Sequence, residues 1–369
     1  MQSRTLSLAQ AYRQVASDFA ACTGGANKVL LIDIGGLGDV VHSLPAMWAV
    51  RQEYPRAELH CIVRAPWISL LSLTPWIDHV WPYCGKSKSL LAEDWRMAAR
   101  IRAQDYDVAI NLMGSNRSCI IGRVSGARRR LGRKPMEIER RGWRWLNTEV
   151  MEYPFLEEPM YLQKWKCVQS AGFTTPQPVF NLVNNAAAER WTPELEGLEA
   201  QRYIHISPYT SGTHRELAPA QMLQVLIRLR ESFPHYRLVI SCSGDPRECA
   251  AAARLLDALP FTPWRVFRGT LDAAQLLMLI RRAALHLSGD TGSMHLAWLA
   301  GTPSISWFYR NAQLGQWAPR GIQHALVLSK SPPCDYLRGI ATDEIVLQAQ
   351  RLLETGNCAE RVVAIQNRW

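Results

Sequence analysis

The stretch Lys28–Arg51, KVLLIDIGGLGDVVHSLPAMWAVR, constrains the fold more than any other part of the chain. Its apolar run Val29–Ile34 is short, aliphatic and bounded by glycine, the pattern of a strand buried on both faces of a parallel sheet. Gly35, Gly36 and Gly38 then allow a tight turn and a close approach of ligand to backbone. Beyond the turn Val40, Val41, Leu44, Met47, Trp48 and Val50 recur at helical spacing. Strand, glycine turn and helix make the corner of an open α/β sheet, where ligands bind outside the carboxyl ends of the strands. Asp39 stands at that corner with two readings open: an N-cap for the helix, or a carboxylate that takes a proton from a substrate. His42, one turn on, reads as a structural or supporting residue.

The same rhythm continues along the chain. Leu59–Val63 and His79–Tyr83 are strand candidates, and Trp95–Arg102 is a helix. Asp107–Leu112 is a buried strand that runs into a second corner, Met113-Gly114-Ser115-Asn116-Arg117. Next come Arg123, Arg128, Arg129, Arg130, Arg133, Lys134, Arg140, Arg141 and Arg144, opposed only by Glu137 and Glu139. A basic surface loop is expected there, either simply solvated or meeting phosphate or carboxylate. Tyr153–Gly172 suits a helical connection, and Asn184–Ala200, with Pro193 and Gly197, an interdomain linker.

A second α/β series starts at the strand Tyr203–Ser207 and its polar turn through Thr213. Helices over Ala220–Ser232, Glu248–Leu259 and Ala273–Arg282 alternate with strands over Arg237–Ser241, Trp264–Phe267 and Leu285–Ser288. The second landmark follows, SGDTGSMHLAWLAGTPSISWF. Asp290 and Thr291 suit helix caps, Gly292 leaves backbone N–H groups open, and Met294–Ala300 supplies the helix. A helix start of this kind is a site for phosphate, though an ordinary capped turn has the same residues. Ser304–Phe308 is another strand and Asp343–Glu354 a last helix. The expected architecture is α/β, with two facing Rossmann-like domains and a cleft between them. Its divisions are an N-terminal extension 1–27 with a short helix Leu6–Ala21, a first domain 28–190, a second domain 200–342, and a C-terminal helix and tail 343–369.

Composition sets the outer limits. A chain of 369 residues that is 48% hydrophobic suits two domains with real cores. The formal charge of +10 calls for an anionic partner, which can be nucleic acid, an anionic lipid surface or a phosphorylated substrate. No stretch reaches the ~20 uncharged apolar residues of a membrane span, and the first residues lack a secretory pattern. Nine cysteines without a C-x-x-C pair read as free thiols in a reducing compartment. Cys242 and Cys249 lie across a turn without zinc-type histidine spacing, so no metal site is expected.

The two landmarks together resemble the ADP-heptose:lipopolysaccharide heptosyltransferase family. Gly35-Gly36-Leu37-Gly38-Asp39-Val40-Val41-His42-Ser43-Leu44-Pro45-Ala46 matches its N-terminal segment. Asp290-Thr291-Gly292-Ser293-Met294-His295-Leu296-Ala297 and Gly301-Thr302-Pro303 match its D-T-G-x-x-H-L-A and G-T-P segments. The resemblance implies a GT-B fold and inverting, metal-independent glycosyl transfer without a cofactor. It further implies ADP-heptose as donor, the lipopolysaccharide inner core as acceptor, and a cytoplasmic enzyme held peripherally on the inner membrane face. Asp39 is then the general base. Asp290, Thr291, Gly292 and His295 surround the nucleotide and heptose, with Thr210, Gly244 and Glu248 on the same side. Family members often carry a phosphate-holding lysine where this chain reads Thr210-Ser211-Gly212-Thr213-His214-Arg215-Glu216, which makes Arg215 the substitute. Gly36, Arg64, Arg117 and Arg123 fall to the acceptor.

Other functions compete. The basic run with Trp143 and Trp145 suggests a nucleic-acid binder, although no RNA- or DNA-binding module is present and two ligand corners would go unused. Another sugar-nucleotide enzyme, such as an epimerase, shares the layout. A scaffold has no need of an aspartate at a glycine turn.

Overall fold

The computed structural model describes residues 18–85, 92–133, 143–151, 158–182, 197–198, 200–311, 313–332 and 335–355. Most of the expected helix Leu6–Ala21, most of the linker, and Lys134, Arg140 and Arg141 of the basic run lie outside the described residues. The chain divides into two compact units, Met1–Val183 and Asn184–Trp369.

The first unit runs α1 (Phe19–Thr23), β1 (Lys28–Asp33), α2 (Leu37–Glu53), β2 (Glu58–Arg64), α3 (Ile68–Leu71), β3 (His79–Tyr83), α4 (Ala92–Arg102), β4 (Val108–Asn111), α5 (Asn116–Val124), β5 (Arg129–Arg133), α6 (Trp143–Leu146), β6 (Glu149–Met151) and α7 (Met160–Ser170). Its six strands form one sheet in the order β3-β2-β1-β4-β5-β6, with every pairing parallel. β1 is central, and Val29, Leu30, Leu31 and Ile32 are fully buried, as a strand covered on both faces requires. α1 is part of this unit: Phe19 packs near Phe173, and Thr23 Oγ1 lies 2.6 Å from Tyr54 Oη. The chain ahead of β1 is thus anchored at least from Phe19 onward.

The basic run departs from the expected loop. Arg129–Arg133 is a strand between β4 and β6. Arg129 pairs with Glu149 at 2.6 Å, while Arg130 donates from Nε to Leu146 O at 2.8 Å and from Nη1 to Ala127 O at 2.7 Å. These guanidinium groups meet protein acceptors, which is how an arginine-rich segment can occupy a sheet.

The second unit runs β7 (Tyr203–Ser207), α8 (Pro219–Ser232), β8 (Arg237–Cys242), α9 (Pro246–Ala258), β9 (Arg265–Arg268), α10 (Ala273–Arg282), β10 (Leu285–Gly289), α11 (Gly292–Ala300), β11 (Ser304–Phe308), α12 (Leu314–Trp317), β12 (His324–Leu328) and α13 (Thr342–Thr355). Its sheet, β12-β11-β10-β7-β8-β9, is also wholly parallel. Numbered from β7, that is the strand order of the first sheet read from the other edge. The last helix is no appendage, since Ile345, Ala349, Leu352 and Leu353 belong to this unit's core. In each sheet the order reverses between the unit's first and fourth strands, β1 with β4 and β7 with β10. That switch point is where open α/β sheets bind ligands.

Candidate functional site

At the first switch point β1 ends in Asp33 and the chain turns through Ile34, Gly35 and Gly36 into α2. The N-cap is Gly36, so Asp39 is the third helical residue rather than the cap. Its Oδ2 accepts the Gly36 N–H at 2.9 Å, reaching back over the turn. Gly35 is required by contact: a Cβ there would lie 2.5 Å from Asp39 Cβ. Arg64 Nε donates to Ile34 O at 3.0 Å and Trp67 Nε1 to Gly35 O at 3.1 Å, which pins the turn from the end of β2. Gly36 and Arg64, both expected on the acceptor side, thereby shape the turn itself. The Asp39 side chain stays 30% exposed, so a carboxylate oxygen is available at the corner.

Beneath this turn lies a charged network that the sequence did not reveal. Asp33 is buried, with Oδ1 accepting the Gly35 N–H at 3.1 Å. Its Oδ2 accepts from Ser43 Oγ and from Lys164 Nζ, the latter at 3.1 Å. Lys164, on α7, is 1% exposed and also donates to Ser43 Oγ at 2.7 Å and to Asp39 O at 2.8 Å. Removing one member of such a buried pair costs about 3–5 kcal/mol, because the other is left buried and uncompensated. The available signal was Asp33 itself, an acid within an aliphatic strand that must find a partner.

Across the switch point, Ser115 caps α5 by accepting the Ser118 N–H at 3.1 Å. Arg117 lies in the first turn of that helix and Arg123 in its last, both exposed.

The second unit's corner has different chemistry. β10 ends at Gly289, where a Cβ would lie 2.5 Å from Arg215 O and 2.8 Å from Trp307 Nε1. Asp290 and Thr291 follow, and Thr291 is the N-cap of α11 without a side-chain cap bond. Asp290 instead accepts from Arg215 Nη1 at 3.3 Å, an ion pair across the switch point. Arg215 Nη2 donates to Ser211 Oγ at 2.8 Å, while Arg215 Nε and Ser293 Oγ are buried without a hydrogen-bond partner among the described residues. Unfilled donors beside a helix start are the features of an anion site. His295 is buried one turn into α11 and lies edge-on to Trp317, with ring centroids 5.5 Å apart.

The remaining expected residues serve the loops in this structure. Thr210 is buried, its hydroxyl donating to Gly212 O at 2.6 Å and its N–H to Glu216 Oε1 at 2.8 Å. Arg247 ties Glu216 at 2.9 Å to Thr210 O, and lies 3.6 Å from Glu248 Oε1. Glu248 is buried and its Oε2 accepts the Ser243 N–H at 3.0 Å. Asp245 caps α9, and Gly244 is in close backbone contact with Gly269.

A neutral chain underlies this corner. His205 on β7 meets His286 on β10 at 2.9 Å between their Nδ1 atoms, and Ser241 Oγ at 2.9 Å through Nε2. His286 Nε2 meets Ser288 Oγ at 3.0 Å. Burial pushes His205 down to about 3, and His286 well below the usual imidazole range through burial first and then its histidine neighbours. Burial favours the neutral form of both rings, and of the two Nδ1 atoms one donates and the other accepts.

Among the described residues no cluster of His, Cys, Asp and Glu could hold a metal ion, and no helix is long and apolar enough to cross a membrane.

The chain is similar to several known proteins. The lipopolysaccharide core heptosyltransferase OpsX of Haemophilus influenzae is 24% identical over 294 residues, covering 78% of this chain and 81% of the relative. Lipopolysaccharide heptosyltransferase 3 of Escherichia coli is 23% identical over 283 residues, covering 73% and 80%. The solved E. coli ADP-heptose lipopolysaccharide heptosyltransferase II superposes with a TM-score of 0.73 at 18% identity, over 90% of this chain and 100% of that one. Two parallel six-stranded sheets with their helices are thus a GT-B-like fold. Residues 94–336 match glycosyltransferase family 9 (heptosyltransferase), and the chain belongs to that family.

Proposed function

We propose that the protein transfers heptose from ADP-heptose to a hydroxyl of the lipopolysaccharide inner core, by a single displacement that inverts the anomeric centre. The observation that carries this reading is the opposite finish of the two corners. One offers an accessible carboxylate, Asp39; the other offers unfilled donors, Arg215 Nε and Ser293 Oγ, at a helix start. Asp39 takes the proton from the acceptor hydroxyl as its oxygen bonds to the anomeric carbon. The bond from that carbon to the diphosphate breaks, and ADP leaves with the electron pair. A base of this kind contributes roughly 10²–10⁴-fold. Charge on the leaving diphosphate is met by Arg215 and the N–H groups that begin α11, which is electrostatic stabilisation by groups already in place. Neither a cofactor nor a metal enters this scheme.

The acceptor side has a basic character that suits inner-core carboxylates and phosphates, with Arg117 and Arg123 exposed on α5. The net charge of +10 suits peripheral attachment to the anionic cytoplasmic face of the inner membrane. The test is ADP release with ADP-heptose and a panel of truncated lipopolysaccharide acceptors. Release that depends on one truncation and yields a product heavier by one heptose supports the reading. Turnover of a sugar nucleotide without acceptor, or none with any truncation, overturns it.

A further inference from the structure

We infer that Lys164 is a positioning residue for the reaction, acting on Asp39 from behind through the main chain and through charge; the inference rests on Asp39 being the base. Lys164 cannot itself touch substrate. It is 1% exposed, and its three N–H bonds are directed at Asp33 Oδ2 (3.1 Å), Asp39 O (2.8 Å) and Ser43 Oγ (2.7 Å). These acceptors come from the end of β1 and the first two turns of α2, so one ammonium ties the strand end, the glycine turn and the helix start together. The same nitrogen lies 3.8 Å from Asp39 Oδ1, while Gly36 N–H holds the other carboxylate oxygen, Oδ2. Asp39 is therefore fixed at three points: its carbonyl, its Oδ2 and, by charge, its Oδ1.

Stability alone does not call for this arrangement. A buried ion pair can be replaced by apolar side chains of similar volume with little loss and often a gain. Apolar side chains cannot hold the Asp39 carbonyl or set a positive charge behind its carboxylate. Small errors in the placement of a reacting group are costly in rate, of the order of 10²-fold per ångström, so the pair serves geometry at the corner.

The test separates the charge partner from the positioning role. Asp33→Asn removes the buried carboxylate and keeps the ammonium; Asp33→Asn with Lys164→Met removes both charges together. Melting temperature and ADP affinity by calorimetry establish that each is folded. With ADP-heptose and a deacylated inner-core acceptor, the double variant is expected to have kcat about tenfold or more below that of Asp33→Asn. Acceptor KM and ADP affinity are expected to stay within about twofold. Equal kcat in the two variants overturns the inference and leaves Lys164 as the neutraliser of Asp33. If the Met-containing variant does not fold, Asp33→Asn with Lys164→Gln is read by the same comparison. Asp39→Asn distinguishes the two levels. Normal turnover there removes the base itself, whereas a dead Asp39→Asn beside a fully active double variant removes only the role of Lys164.

Discussion

The two switch-point corners are built alike and finished in opposite ways. Each has a buried parallel strand, a turn with an obligatory glycine, Gly35 or Gly289, and a helix that starts immediately beyond. In the first unit the turn's polar groups are spoken for by Asp39, Arg64 and Trp67, and what remains available is negative. In the second, the aspartate is tied back to Arg215, and two donors, Arg215 Nε and Ser293 Oγ, stand buried and unfilled. The support beneath differs in the same sense: a buried Lys164–Asp33 ion pair under one corner, neutral imidazoles and hydroxyls under the other. The strand–turn–helix frame is therefore common to both corners, while the side chains that fill its hydrogen bonds decide which polar groups are left unfilled.

The largest effect expected from breaking the comparison is at Asp39. Asp39→Ala should lower turnover by at least ~100-fold, the low end for a general base, with ADP affinity unchanged because the nucleotide is assigned to the other unit. Near-normal turnover would reduce the first corner to a capped helix. A modest loss of stability is expected as well, since the Gly36 N–H loses its acceptor.

The support layers make a second contrast, one of pH. His205 and His286 bind no proton when folded, yet titrate near 6.5 once the chain unfolds. The unfolded state then takes up more protons than the folded one, so stability is full above about pH 6.5 and falls as pH drops below it. Each histidine adds a slope of up to about 1.4 kcal/mol per pH unit. Unfolding melts from pH 7.5 to 5 should show the second unit losing stability more steeply than a His205→Gln, His286→Gln variant. Parallel curves would mean that acid sensitivity arises elsewhere.

What the sequence made legible follows from where apolar pattern and glycine coincide. β1 is an aliphatic run, β7, β10 and β11 alternate apolar residues with His or Ser, and all four lie close to where the pattern set them. β5 was hidden because RRLGR has no strand pattern; its arginines are accommodated only through Glu149, Leu146 O and Ala127 O. β12, a short edge strand, carried too little signal to separate it from loop. Among the expected site residues, Asp39 and Asp290 stood out by their positions at corners, and Arg215 through the family resemblance. Lys164 was not, because its partner Asp33 is 131 residues away and a lysine on a mixed helix ordinarily points to water. The roles expected of Thr210 and Glu248 illustrate the converse, polar residues near a strand end whose side chains the fold has engaged in its own loops.

A third prediction addresses the donors of the second corner. Arg215→Ala removes a cation and an unfilled Nε, and should weaken ADP binding about tenfold or more, the value of a charge-assisted hydrogen bond of about 1.5–3 kcal/mol. Asp290→Asn should cost less, since it loosens Arg215 without removing it. If calorimetry finds the opposite order, Asp290 meets the nucleotide directly and the corner is not simply a donor site.

The smallest expected effect concerns Arg117, on the helix after β4. Arg117 and Arg215 both follow the strand that pairs at the switch point with their unit's aspartate-bearing strand, Arg117 after the fourth strand of its unit and Arg215 after the first of its own. Arg215 is half-sequestered by its ion pair with Asp290, whereas Arg117 is exposed on α5. An exposed guanidinium exchanges water for acceptor anions at modest gain, because solvent and salt screen it. Arg117→Ala is therefore expected to raise acceptor KM only severalfold on a soluble, delipidated acceptor, with kcat and ADP affinity held. The contrast with Arg130 sharpens the assignment. Arg130 bonds to Leu146 O and Ala127 O in the sheet, so Arg130→Met should lower the melting temperature and leave acceptor KM alone. A matching KM change in both variants would return the whole basic run to the acceptor; a change in neither would place acceptor recognition away from α5.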